Sequence, residues 1–237
     1  MNLARERIEG LVSVVITNFN RAAYIRECLD SILQQTYENW EIILIDDAST
    51  DHSVEVAKEW LEESKRFFPR ENQVLIHELP RNIGFSGAIN VGHYLSRGEF
   101  IAIQDSDDFS HILRLSRQVE YLKNHPQIDL VGTNYYAFSA DNPEKKQLAG
   151  WIKYGDDIRK VYGNGGHCVC HGTCMFRGRL FDQIGGPTRR IEGAEDYEFI
   201  AKALNARAGV NNIAEALYYY RTHAEQRSAH YYRKKGG

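Results

Sequence analysis

Residues 11–17, LVSVVIT, decide the fold. The run is apolar, rich in β-branched side chains and too short for a buried helix, so it reads as a strand covered on both faces. Immediately after it, Tyr24–Gln35 places Ile25, Leu29, Ile32 and Leu33 on one helical face. The alternation then repeats. Trp40–Ile45 predicts a second strand, and Asp51–Phe67 a helix with Ser49 or Thr50 as N-cap and Val54, Ala57 and Leu61 facing inward. Val74–Glu78 predicts a third, shorter strand, Gly87–Leu95 a helix and Phe100–Gln104 a fourth strand. Ile112–Lys123 reads as a helix stopped ahead of His125-Pro126, and Leu130–Phe138 as a fifth strand. Strands separated by helices predict an α/β fold with a mainly parallel central sheet and helices on both faces.

Beyond that point the texture changes. Ala140–Gly150 is polar and turn-like, Gly155–Val161 a short helix, Gly163–Gly166 glycine-rich, and His167–Phe176 alternates like a strand. Glu195–Ala206 predicts a helix, Ala216–Thr222 a Tyr-rich strand, and Tyr231–Gly237 a basic, frayed tail. A single domain over 1–237 is expected, with one half at about 11–110, a second at about 111–223 and a tail at 224–237.

Composition narrows the class. With 29 Lys plus Arg against 32 Asp plus Glu, the 237 residues carry a formal charge of −3, without the basic excess of a dedicated nucleic-acid binder. Four cysteines do not make a disulfide scaffold at this length and suit a reducing, cytoplasmic compartment. Met1–Gly10 lacks the apolar core of a signal peptide, and no apolar run approaches the ~20 residues of a membrane span. Three basic residues, Arg233, Lys234 and Lys235, allow at most peripheral membrane contact.

Ligands of open α/β sheets bind beyond the carboxyl ends of the strands. There the sequence sets Thr17–Asn20 after the first strand, Asp46–Ser49 after the second, Arg81–Gly84 after the third and Asp105, Ser106, Asp107, Asp108 after the fourth. Asx and Ser residues also cap helices, which accounts for Ser49. Capping does not account for three carboxylates within four residues, which repel one another unless a cation joins them. Neither Gly-x-Gly-x-x-Gly nor a Gly-Lys-Ser/Thr loop is present. A diphosphate would therefore be held through a divalent metal on hard oxygen ligands, Mg²⁺ or Mn²⁺.

These residues resemble glycosyltransferase family 2. The resemblance rests on the opening Val12–Arg21, Tyr24-Ile25 and Leu29–Tyr37, on Trp40–Asp51, on Arg81–Gly84 with Ala88 and Asn90, and on Gln104–Asp108, similar to an Asp-x-Asp motif. Later come His171–Arg177, Glu195–Phe199, similar to a Glu-Asp motif, and Tyr219–His223, similar to a closing Tyr-Arg-x-His strand. The family usually carries a proline shortly after Asp-x-Asp, where this chain has Phe109–Leu113.

The resemblance implies a GT-A fold and an inverting, metal-dependent transfer of sugar from a nucleoside diphosphate donor to a hydroxyl acceptor, in polysaccharide or glycoconjugate biosynthesis. It implies that Thr17, Asn20 and Asp47 line the nucleoside pocket, with Asp47 accepting from a base imide N–H, the edge that favours UDP. Arg81 would approach the base or diphosphate, and Asp105 and Asp107 the ribose and metal region. Asp107, Asp108 and His223 would ligate Mn²⁺ or Mg²⁺, and Asp196 would be the general base. The acceptor stays open: a glycan, a lipid-linked molecule or another hydroxyl. A chain of this length, without the membrane segments of processive relatives, suggests single addition.

Two other readings stand beside this one. A non-catalytic nucleotide-sugar-binding subunit has no need of both the acidic cluster and Asp196. A sugar-phosphate nucleotidyltransferase would carry a glycine-rich phosphate loop where this chain has Asn18–Arg21. Among individual residues, Trp151 reads as a half-buried Trp or a sugar platform, and His171 as a packing or acceptor-wall residue. The compressed Cys168, Cys170, His171, Cys174 run reads as packing, since no second ligand pair follows at zinc-finger distance.

Overall fold

The computed structural model describes residues 6–68, 73–188 and 193–227. Four parallel strands, β1 (Ile8–Asn18), β2 (Trp40–Asp46), β3 (Val74–Glu78) and β4 (Gly98–Asp105), stand in the spatial order β3-β2-β1-β4. Between them run α1 (Ile25–Leu33), α2 (Ser53–Ser64) and α3 (Phe85–Leu95). Register aligns Thr17 with Ile45 on one side and Asp105 on the other, so three strand ends finish at one edge.

The unbroken apolar run in β1 has a packing reason. Val12, Val14 and Ile16 enter a core with Ile25, Leu29 and Ile32 of α1, Trp60 of α2 and Leu115, Val119 and Leu122. Val15, pointing the other way, joins Ile101, Ile103, Phe176, Phe181 and Phe199. Both faces are covered from Leu11 to Ile16, and the polar residue within that run, Ser13, is buried with its hydroxyl donating to Glu41 at 2.6 Å.

The rest of the sheet is mixed. It contains β5 (Phe109–Ser110), β6 (Leu130–Ser139), β7 (Asn142–Leu148), β8 (Met175–Arg177) and β9 (Val210–Thr222), with α4 (Arg114–Asn124), α5 (Asp156–Gly163), α6 (Gly178–Ile184) and α7 (Glu195–Asn205). β4 pairs antiparallel with β8, which leads through β6 to β9 and β5, while β7 hangs off β6 as a hairpin. Among the described residues no helix is long and apolar enough to cross a membrane.

Four local expectations change. Ala140–Gly150 is not a plain turn: Asn142–Leu148 pairs with β6, and its side chains are all exposed, so no apolar alternation marks it. Within His167–Phe176 only Met175 and Phe176 are strand; His171–Thr173 forms a 3₁₀ turn, so the cysteines do not share a strand face. The helix α6 begins at a glycine without a side-chain cap, and nothing in its sequence announced it. Ser49 does not cap α2, which starts after His52; its hydroxyl is committed to Asp46. The expected tail, Tyr231–Gly237, lies outside the described residues.

Candidate active site

A cavity of about 1090 Å³ opens beyond the ends of β1, β2 and β4. Its first side is built by loops bonded to one another. Asn18 Nδ2 donates to Asp46 Oδ2 at 2.8 Å, and the Ser49 hydroxyl donates to the same oxygen at 2.6 Å while accepting the Asn20 N–H at 2.9 Å. Asn20 sits at φ +56°, a region Asn tolerates, and its side-chain oxygen accepts the Thr50 N–H at 2.8 Å. Asp47 accepts the Ile83 N–H at 2.7 Å and the Gly84 N–H at 2.9 Å. Gly84 needs its glycine, because φ is +79° at the entry to α3. Thr17, Asn20 and Asp47 line the cavity together with Asn82 and Gly84. Arg81 is exposed and off that lining.

The acidic cluster forms the floor. Asp107 Oδ2 accepts from Arg21 Nε at 2.8 Å and lies 3.0 Å from His223 Nε2. Burial works against its charge, yet His223 and Arg21 hold Asp107 below the usual carboxylate range. Asp105 has no such partner; burial, then the Asp107 charge, pushes it up to about 7. Asp108 is 1% exposed, with one oxygen accepting the Arg221 N–H at 2.7 Å. Burial, followed by Asp107 and Asp105, raises it well above the usual range against the opposing pull of the Arg221 amide and the Tyr218 hydroxyl, and among the described residues its Oδ2 meets no partner in hydrogen-bond geometry. Gly172 makes room for this arrangement: a Cβ there would lie 2.5 Å from Asp105 Oδ2 and 2.9 Å from the Tyr218 hydroxyl.

Crowded hard oxygens, one of them buried without a partner, are the donor chemistry a divalent cation takes. The donor set therefore fits Mg²⁺ or Mn²⁺. Among the described residues, however, no three such groups stand in cation-holding geometry. Asp108 and His223 are off the main cavity; His223 lines a neighbouring one of about 500 Å³.

Asp196, in the first turn of α7, lines the same cavity, and its charge contributes to the raised Asp105. Its neighbour Glu195 is buried and committed, accepting the Gly193 N–H at 2.9 Å and pairing with Arg227. Asp196 keeps an exposed carboxylate, with Oδ2 3.5 Å from His167 Nε2. The His167 ring is tied by Nδ1 to the Tyr162 hydroxyl at 2.7 Å and stacks against Trp151 at 5.2 Å. Burial holds His167 below its ordinary value despite the Asp196 charge, so the ring is neutral at pH 7.

Three contributors escaped sequence reasoning. Arg21 neutralises Asp107, and His167 reaches Asp196 across 29 positions (196 − 167), a separation with no local signature. Arg114 is fully buried and donates to the Ile103, Gly172 and Cys174 carbonyls at 2.7, 3.0 and 3.4 Å, joining β4 to the turn under the cavity. A signal for Arg114 existed: with Leu115, Gln118, Val119 and Leu122 it makes the buried face of α4, on which two positions are polar.

The sequence profile described as Glycosyl transferase family 2 matches residues 13–185. A protein described as the putative glycosyltransferase EpsE of Bacillus subtilis (strain 168) is 30% identical over 211 residues, covering 87% of this chain and 71% of that protein. S. aureus TarS 1–349, solved in complex with UDP-GlcNAc, superposes with a TM-score of 0.72 at 20% identity, covering 92% of this chain and 60% of that one. The mannosyltransferase PcManGT from Pyrobaculum calidifontis, solved with GDP-Man and Mn²⁺, gives 0.65 at 19% identity over 94% of this chain and 59% of the other. The chain thus spans about three fifths of both solved chains, and those two likenesses establish the GT-A fold.

Proposed function

The chain belongs to glycosyltransferase family 2, and we propose on that premise that it moves a sugar from a nucleoside diphosphate donor, UDP in the first place, to an acceptor hydroxyl with inversion at the sugar carbon. The observation that supports this reading is that Asp196 lines the same cavity as Asp105 and Asp107, near enough for its charge to help raise Asp105. An inverting transfer is a single in-line displacement, so it needs one base opposite the leaving group and no protein nucleophile.

Asp196 is that base. Its carboxylate is open to the cavity, while Glu195 is held by Arg227 and the Gly193 amide. It accepts the proton of the acceptor hydroxyl as the oxygen attacks the sugar carbon. Thr17, Asn20 and Asp47, which line the cavity together, hold the nucleoside, with the Asp47 carboxylate as the acceptor for an imide N–H. Arg81 reaches the donor only if its loop closes, since its side chain is outside the lining. Asp105 holds the ribose side, and Asp107, Asp108 and His223 would hold Mn²⁺ or Mg²⁺. That cation would supply charge stabilisation to the leaving diphosphate. All four cysteines are free thiols, which fits a cytoplasmic setting.

Calorimetry of UDP with Mn²⁺, and again with excess chelator, tests the reading. UDP is expected to bind in a metal-dependent way, and Asp108→Ala is expected to abolish that dependence. Equal affinity with chelator would contradict the metal assignment, and no binding of any nucleoside diphosphate would contradict the donor.

A further inference from the structure

One wall of the cavity has no part in holding a nucleotide or a cation. It is aromatic and continuous. Trp151 donates its indole N–H to the Tyr135 hydroxyl at 2.7 Å, and the Tyr135 ring lies 5.6 Å from that of Tyr220. On its other flank Trp151 stacks with His167 at 29° between planes, and His167 reaches Asp196. The indole is 36% exposed and lines the cavity, whereas Trp40 and Trp60 are 4% and 1% exposed.

From this wall we infer that the acceptor is a pyranose, seated with an apolar C–H face on Trp151 and a hydroxyl directed at Asp196. The inference rests on the glycosyltransferase reading of the cavity and names the acceptor class which that reading leaves open. Three features select a sugar ring. A flat indole fixed by its N–H is a rigid platform that loses little entropy when covered, and its quadrupole attracts the C–H edges of a saturated ring. Polar groups interleave with the rings along the lining, namely the Tyr135 hydroxyl, the His167 imidazole and the Asp196 carboxylate. That alternation matches a molecule with apolar faces and a hydroxylated rim; an acyl or prenyl chain requires an uninterrupted apolar groove. Finally, the His167 ring touches both the platform and the base, so Trp151 and Asp196 stand within the reach of one sugar ring and its hydroxyls.

Trp151 reports its own occupancy, because the other two tryptophans are buried. The experiment is acrylamide quenching of intrinsic fluorescence in the full chain with saturating UDP and Mn²⁺. The probes are methyl pyranosides of glucose, galactose, mannose, rhamnose and N-acetylglucosamine, with sorbitol as the open-chain polyol and phosphatidylglycerol vesicles as the lipid. At least one pyranoside is expected to shield Trp151 saturably, with sorbitol and vesicles inactive and the signal absent from Trp151→Phe. In transfer to the shielding pyranoside, Trp151→Ala is expected to raise acceptor KM roughly three- to tenfold, the weight of one aromatic contact, with Trp151→Phe restoring most of it. Shielding by vesicles alone, equal shielding by sorbitol, or no shielding by any pyranoside would overturn the proposal. Calorimetry of UDP in the same samples separates the two levels. Bound UDP without pyranoside shielding removes the acceptor assignment only, and absence of both removes the glycosyltransferase reading with it.

Discussion

On one side of the cavity, side chains are bonded to each other before any ligand arrives: Asn18, Asp46, Ser49 and Asn20 form one network, and Asp47 clamps the Ile83–Gly84 backbone. Elsewhere the cavity is lined by Trp151 and His167, held mainly by ring contacts to each other and to Tyr162 and Tyr197, which pack behind His167. Hydrogen bonds are directional, so the first side is set for one ligand shape; a ring face on the second side holds a partner with less directional precision. The division follows from the sheet. Parallel strands end in register and fix their loops, whereas the mixed half reaches the cavity through turns and helix ends.

The largest way to break this comparison is to remove the proposed base, Asp196. Asp196→Asn keeps the shape but cannot take a proton, and turnover is expected to fall roughly 10²–10⁴-fold. Near-normal turnover at saturating donor and acceptor would remove Asp196 from that role.

Acid is expected to act next, at the seam joining the halves. His93 of α3 has no hydrogen-bond partner for either ring nitrogen among the described residues and packs against Phe176, Phe181 and Phe199. Burial lowers it from 6.5 to about 3. The unfolded chain therefore takes up a proton below about pH 6.5 that the folded chain refuses, so stability is fully present above that pH and declines towards pH 3. The loss is on the order of 2–4 kcal/mol at the acid end. Urea unfolding across this range should show a shallower decline in His93→Leu than in the wild type; parallel declines would show that His93 is not responsible.

Smaller effects sharpen the first side. Asp47→Ala should weaken UDP binding by about 1–3 kcal/mol, the loss for a charged hydrogen bond, with the fold retained. Unchanged affinity would leave Asp47 as a loop clamp alone. Ser49→Ala should cost about 1 kcal/mol of stability, since Asp46 and the Asn20 amide lose a shared partner. Its thermal unfolding midpoint measures this.

What the sequence disclosed follows the same line. β1, β2 and β4 were legible because burial on both faces demands apolar, β-branched runs, and the polar residues that follow stand out against those runs. The hairpin strand β7 was hidden because an exposed edge strand needs no apolar pattern. The 167–176 run was misread because its alternation serves a turn held by Arg114 and Gln118 through backbone carbonyls, which side-chain patterns do not encode. On the acceptor side, Asp196 was marked by a motif, while its contact with His167 exists only once α7 and that turn are packed.

The division between the two sides is tested most directly by titrating UDP, with Mn²⁺, into the wild-type chain, Asp47→Ala and Asp196→Asn in one calorimetric series. The predicted result is wild-type affinity in Asp196→Asn and roughly 5- to 100-fold weaker binding in Asp47→Ala. Equal losses in the two variants, or a loss confined to Asp196→Asn, would contradict it.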